Sequence, residues 1–162
     1  MLTQKRKKEI ENLTLDILKN TDMLNMVPVD LNKIANYLDI KLIEGSFIEQ
    51  GISGGLINDR GRYVAITKRS DIYTRKRFTI AHEIGHYILH RDKIGKTHMD
   101  TILFRSDNEK TEIEEEADFF AASLLMERNA LKKLNKEIKS KSILANIFNV
   151  SQQALEIRLK EI

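Results

Sequence analysis

The stretch Arg77–His90, "RFTIAHEIGHYILH", decides how this chain is read. Drawn on a helix at 100° per residue, Phe78, Ile80, Ala81, Ile84, Gly85, Ile88 and Leu89 take most of the circumference. Thr79, His82, Glu83, His86 and His90 gather in one arc of roughly 100°. A helix on a protein surface carries a broad polar face rich in lysine and arginine. This one is apolar nearly all round, with a narrow strip of imidazole and carboxylate. The pattern predicts a buried helix lining a cleft.

His82 and His86 stand four residues apart, so their rings lie one turn apart on one side and can share a small cation. Glu83 is rotated away from the pair and is free to act as a base toward a metal-activated water. That is the mechanical content of HExxH: two metal ligands and a general base. His90 sits a further turn along. Three ligands at successive steps of four would follow one helix edge for about 12 Å, too far to converge on one ion. His90 is therefore read as a supporting residue behind the ligands. His98 falls in a polar segment and reads as exposed.

A catalytic zinc site takes three protein ligands and leaves one position for water. The extended motif with a third histidine needs Gly at 89 and His at 92, where this chain has Leu89 and Asp92. A carboxylate from another helix is the alternative, and "EIEEEADFFAASLLM" (112–126) is the only acidic helix with an apolar run. Its main apolar face carries Ile113, Ala117, Phe120, Ala121, Leu124 and Leu125. Glu114 falls within that inward face, with Asp118 one turn beyond, so Glu114 is read as the third ligand. Glu115 is the runner-up. Asp118 is then placed to hold the far nitrogen of a ligating histidine. Glu112 and Glu116 group with Ser123 and read as solvent-exposed.

The remaining sequence sets the frame. The 162 residues suit one domain, or one domain with a small appendage, and 41% hydrophobic content supports a real core. The absence of cysteine excludes disulfides, iron–sulfur clusters and cysteine-ligated zinc. Net charge is +3, from 27 basic and 24 acidic residues, and the clusters "KRKK" and "KKLNKEIKSK" read as solvated surface rather than a phosphate-binding face. No apolar run is long enough for a signal peptide or a membrane span, so the expectation is a cytoplasmic protein with no membrane partner.

Apolar spacing predicts a helix over 5–19, with Ile10, Leu13, Ile17 and Leu18 on one side, and a short helix capped by Asp30. "IKLIEGSF", "ISGGLI" and "YVAI" predict strands, the last two joined at Asn58–Gly61. The histidine helix should run from about Thr74 to His90, capped by Ser70 or Asp71. "DKIGKTHMDTILFRSDNEK" reads as irregular. Helices follow through "TEIEEEADFFAASLLM", "RNALKKLN", "KSILANIFN" and "SQQALEIRLKEI", the last capped by Ser151. The fold class is α+β, a small antiparallel sheet against several helices.

With "RFTIAHEIGHYILH", "EEEADFFAASLLM", the "GISGGLI…YVAI" hairpin and the closing "ILANIFNVSQQALEIRL" in view, the chain resembles the ImmA/IrrE family of metallo-endopeptidases, HExxH zinc peptidases of the gluzincin type. In that family both motif histidines and a glutamate four residues before Asn or Asp hold the metal. The matching positions are His82, His86 and Glu114, followed by Asp118. One departure is Glu127, where the family usually has proline after "LLM".

The resemblance implies a zinc-dependent peptidase domain over 1–135 and a helix-turn-helix-like segment over 136–162 packed on it. It also implies cleavage of a helix-turn-helix repressor, as an anti-repressor of a prophage or mobile element or as a stress-response regulator. Mn²⁺ or Fe²⁺ also suits two histidines and a carboxylate. Tyr63, Tyr73 and Tyr87 are candidate oxyanion donors. The competing reading is a non-catalytic metal-containing module that binds a repressor or DNA. Direct DNA contact is disfavoured because "SQQALEIRLKEI" sets two glutamates against Arg158 and Lys160.

Overall fold

The structure, a computed structural model, describes residues 1–46, 51–101 and 111–162. Phe47, at the end of the first predicted strand, and residues 102–110 of the predicted irregular segment lie outside the described residues. The chain runs α1 (Gln4–Asn20), α2 (Leu31–Tyr37), β1 (Ile40–Gly45), β2 (Ile52–Asp59), β3 (Arg62–Lys68), α3 (Tyr73–His90) and β4 (Thr97–Thr101). It then continues through α4 (Glu112–Leu125), α5 (Arg128–Glu137), α6 (Lys141–Phe148) and α7 (Gln152–Glu161). This is the α+β architecture that the periodicities predict.

The sheet is mixed rather than wholly antiparallel. Strand order is β1-β3-β2-β4, and β1 runs parallel to β3 while β2 is antiparallel to both β3 and β4. The reason is local. Residues 58–61 form a tight turn in which Asn58 Oδ1 accepts from Gly61 N at 2.8 Å, so β2 pairs with its successor. β1 does not pair with β2 but adds, in parallel, to the far edge of β3. The segment read as irregular supplies β4, the opposite edge strand.

Helix ends follow side-chain chemistry at most positions. Asp30 accepts from the amides of Asn32 and Lys33, and Ser151 from that of Ala154 at 3.1 Å. Thr111 caps α4. Glu127 stands where the resemblance leads one to expect proline. It caps α5 by accepting from the amides of Asn129 and Ala130, so the break after α4 is held by a different device. Helix α3 begins at Tyr73 with Ile72 at the cap position and no side-chain cap. Ser70 and Asp71 do not cap it because they precede the cap position, and the backbone amide of Asp71 closes the preceding turn by donating to Lys68 O at 3.1 Å.

Helix α3 lies between the sheet and α4, touching β2 and β3 on one side and α4 on the other. Ala81 and Ile84 fill that layer with Leu56, Ala65, Phe120 and Leu124, all in the main core. Gly85 makes the helix pair possible. A Cβ there would meet Phe120 Cδ1 at 3.1 Å and Ala117 Cα at 3.3 Å. Helix α1 covers the outer side of α4, burying Ile10, Ile17 and Leu18. Leu13 is an exception to the predicted face: it is 38% exposed, and the inward position falls to Thr14, whose hydroxyl donates to Glu11 O.

Helix α7 seats Leu155 and Arg158 in the interior. The Arg158 guanidinium is 1% exposed. It donates to Glu11 at 2.8 Å and to Met126 O, and lies over the Phe119 ring. Among the described residues no helix is long and apolar enough to cross a membrane.

Candidate metal centre

The buried side of α3 carries Thr79, His82, Glu83, His86 and His90, the residues of the predicted polar strip. Glu83 and His86 are fully enclosed. Helix α4 approaches this strip closely because Gly85 leaves room for Ala117 and Phe120, and that approach brings Glu114 to the two histidines. Three distances define the cluster. His82 Nε2 lies 2.9 Å from His86 Nε2, and Glu114 lies 3.2 Å from the first and 3.3 Å from the second.

Each of these residues offers one atom able to ligate, and together they form a group that can hold a metal ion. The donor set fits a small divalent cation. A tetrahedral site with bonds of about 2.0–2.1 Å has ligand–ligand edges of about 3.3 Å, close to the distances observed. The electrostatics agree. His82 Nδ1 lies 2.8 Å from Asp118 Oδ1, an acceptor, so Nδ1 carries the proton and Nε2 presents a lone pair. Lone pairs and a carboxylate oxygen aimed at one point repel one another unless a cation or protons stand between them. Burial by itself raises the carboxyl pKa of Glu114. Its contacts with His82, His86 and His98 outweigh that effect and hold it well below the usual carboxylate range.

Glu83 is next to the pair in sequence but is not one of the three donors. It faces β2, where a Cβ on Gly54 would come within 3.1 Å of Glu83 Oε1 and collide with Thr79 Cγ2. A side chain at position 54 would therefore push into the pocket that houses Glu83. Glu115, the alternative third donor, instead pairs with the N-terminal amine of Met1.

His90 is almost fully buried behind His86, with Nδ1 3.1 Å from His86 Nδ1 and Nε2 2.9 Å from Glu116 Oε2. Burial pushes its pKa down, and Glu116 offsets part of that shift. Two expectations are corrected here. Glu116 is not solvent-exposed: it is 5% exposed, gripped by Arg6 through Nε and Nη2. The Arg6 contact, partly opposed by burial, lowers its carboxyl pKa to about 2. His98 is not an exposed loop residue. It lies on β4, with Nε2 3.4 Å from Glu114 Oε1 and its ring edge-on to His86 at 4.5 Å between centroids.

The three tyrosines are dispersed. Tyr63 and Tyr87 pack edge to face at 4.8 Å, the Tyr63 hydroxyl accepts from Asn58, and Arg91 lies over Tyr87. Tyr73 is 62% exposed at the start of α3.

Sequence reasoning missed Arg6, the burial of Glu116, and His98. A usable signal existed for Glu116. Helix α4 contains no lysine or arginine, which a helix with one solvated face would carry.

Comparison with known proteins agrees with this fold. The model of the Peptidase M78 family, the IrrE N-terminal-like domain, matches residues 35–160. The chain belongs to this family. Among solved structures, a Mycobacterium tuberculosis transcriptional regulator shares the fold, with a TM-score of 0.62 at 13% identity. The alignment covers 91% of this chain but 45% of that one, so the chain spans under half the length of that protein. No curated protein matches.

Proposed function

We propose that this chain is a zinc-dependent endopeptidase acting on a protein, with His82, His86 and Glu114 as ligands and Glu83 as general base. The observation that carries this reading is the convergence of those three donors within 4.8 Å of one another, two of them on the helix that also buries Glu83 and the third on α4. Mn²⁺ and Fe²⁺ are compatible with the same donors. A bound divalent cation supplies a Lewis acid that acidifies water and polarises a peptide carbonyl.

The remaining work belongs to the side chains. Glu83 takes a proton from the water as it attacks the carbonyl carbon, then delivers a proton to the amine released when the C–N bond breaks. Asp118 accepts from His82 Nδ1 and keeps that ring turned toward the site. His90 does the corresponding work behind His86. Family membership supports a helix-turn-helix repressor as the substrate, and a setting in the cytoplasm fits that partner. Residues 1–135 are read as the peptidase unit and 136–162 as a helical segment seated on it. Leu155 in the core and the Lys7–Glu161 ion pair support the seating of that segment.

Groove-reading by α7 is the weaker alternative, because Arg158 is committed to Glu11 and leaves Lys160 beside Glu156 and Glu161. The deciding experiment co-expresses the chain with the transcriptional repressor encoded nearest to it. Wild type should release a repressor fragment. Glu83→Gln should release none while keeping its full metal content, since the ligands remain. Cleavage by a fully metallated Glu83→Gln protein would refute the role of Glu83.

A further inference from the structure

His86 has two ring nitrogens, and the one turned away from the donor cluster begins a continuous chain of short contacts. Nδ1 lies 3.1 Å from His90 Nδ1, and His90 Nε2 lies 2.9 Å from Glu116 Oε2. Arg6 closes the chain, with Nε 2.6 Å from Glu116 Oε1 and Nη2 2.7 Å from Oε2. We propose that Arg6 and Glu116 are positioning residues of the metal centre, acting through His90 to fix the proton and ring angle with which His86 presents Nε2. The inference rests on the metal-site reading above and extends it to α1. Arg6 lies outside the span 35–160 that the family model matches.

The direction of the chain follows from what each group can donate. For Nε2 of His86 to ligate, its proton must sit on Nδ1. That proton needs an acceptor, and His90 Nδ1 stands in reach at 3.1 Å. His90 must then carry its own proton on Nε2, which needs an acceptor in turn, and Glu116 Oε2 provides it. Glu116 is acceptor-only as a carboxylate, and Arg6 is donor-only, so the chain cannot reverse at that end. The two-pronged guanidinium also fixes the plane of the carboxylate, which a single ammonium would not do.

Burial makes the ordering strict. His86 and His90 side chains are 0% exposed and that of Glu116 is 7%, so water has little chance to substitute for a lost partner. Were Arg6 removed, Glu116 would be a buried charge with one weak partner. His90 would then be able to turn or exchange its proton position, offering His86 a hydrogen where it needs a lone pair.

The test uses the full chain stripped of metal and titrated with Zn²⁺ against a competing chelator, and with Co²⁺ followed by its visible absorption. Both Glu116 oxygens accept, so in Glu116→Gln the amide N–H₂ must face either Arg6 Nε or His90 Nε2, donor against donor. This variant and Arg6→Gln should each weaken Zn²⁺ binding by about 10- to 100-fold and shift the Co²⁺ bands. Lys7→Gln, which removes the neighbouring α1 ion pair to Glu161, should leave both readouts unchanged.

In a His90→Phe background, adding Arg6→Gln should cost no further affinity, because the connection is already cut. Losses that simply add would mean that Arg6 supports α1 packing in general, and would overturn the proposal. Should Arg6→Gln fail to fold, the near-isosteric Glu116→Gln decides alone. Wild-type metal binding with an unaltered Glu116→Gln spectrum and affinity would overturn this inference and leave the metal reading standing. A wild-type chain that binds neither ion would overturn the metal reading and this one with it.

Discussion

Asp118 Oδ1 stands 2.8 Å behind His82 Nδ1, one turn along α4 from Glu114, so a single helix both faces the donor cluster and holds one of its imidazoles from the rear. Spacing of four puts the two acidic residues on the same side of α4. One helix register therefore sets both contacts, and a shift of α4 would disturb them together.

That relationship gives a first prediction. Asp118→Ala removes the acceptor for the Nδ1 proton, and metal affinity should fall about 10- to 100-fold. Asp118→Asn keeps an oxygen able to accept and should stay within a few-fold of wild type. Chelator competition on the purified proteins measures both, and equal losses would show that the charge matters rather than the orientation.

Metal removal is a second test. A cation bound to the folded state alone at 100 times its dissociation constant adds about 2.7 kcal/mol of stability, or roughly 5–10 °C for a chain of this size. Zinc should raise the melting temperature of the wild type by that order, and a chelator should reverse it. Glu114→Ala should melt at one temperature with or without zinc.

Gly85→Ala probes the helix contact that assembles the site. The added methyl meets Phe120 and Ala117 at 3.1–3.3 Å, and overpacking of this kind costs about 1–3 kcal/mol. Alanine's better helix propensity returns up to about 1 kcal/mol, so the net loss should be modest. Metal affinity should fall as well, because α4 must move outward and carries Glu114 with it. Thermal melting of the metal-free form separates the two effects.

The Glu11 cluster predicts a pH dependence. Burial tends to raise the Glu11 carboxyl pKa, but Arg128 and Arg158 overcome this and leave it below the ordinary 4.5. The group is therefore easier to ionise in the folded state. Its contribution is fully present above about pH 4.5 and is lost as the pH falls through the lower folded value. Glu11→Gln leaves the Arg158 guanidinium buried without its counter-charge and should cost about 3 kcal/mol at pH 7. The gap between wild type and variant in urea titrations should shrink below pH 4.5. A gap that stays constant down to pH 3 would show that the charge on Glu11 contributes nothing.

Much of the fold and the donor cluster was legible in advance because it depends on periodicity within single elements. The confined arc of His82, Glu83 and His86 needs only a helix, and the inward position of Glu114 needs only the apolar stripe of α4. What stayed hidden depends on which elements meet. Glu116 points away from the main stripe, and only the packing of α1 over α4 turns that side inward. Arg6 looked like one cation in a basic run. Its partner lies 110 positions away, beyond any local pattern. His98 sits in a polar segment whose pairing with β2 no alternation announces. Parallel pairing of β1 with β3 is hidden for the same reason, since strand neighbours are settled by sheet assembly.

The packing of α1 bears on how this protein should be handled at the bench. An expression fragment trimmed to 35–160, the limits that likeness to relatives would recommend, discards Arg6 and Glu11 and uncovers the rear of α4. Two ionised side chains, Glu116 and Arg158, would then be left in oily surroundings with their counter-ions cut away. Cloning boundaries here are better drawn from who neutralises whom than from where recognisable sequence begins.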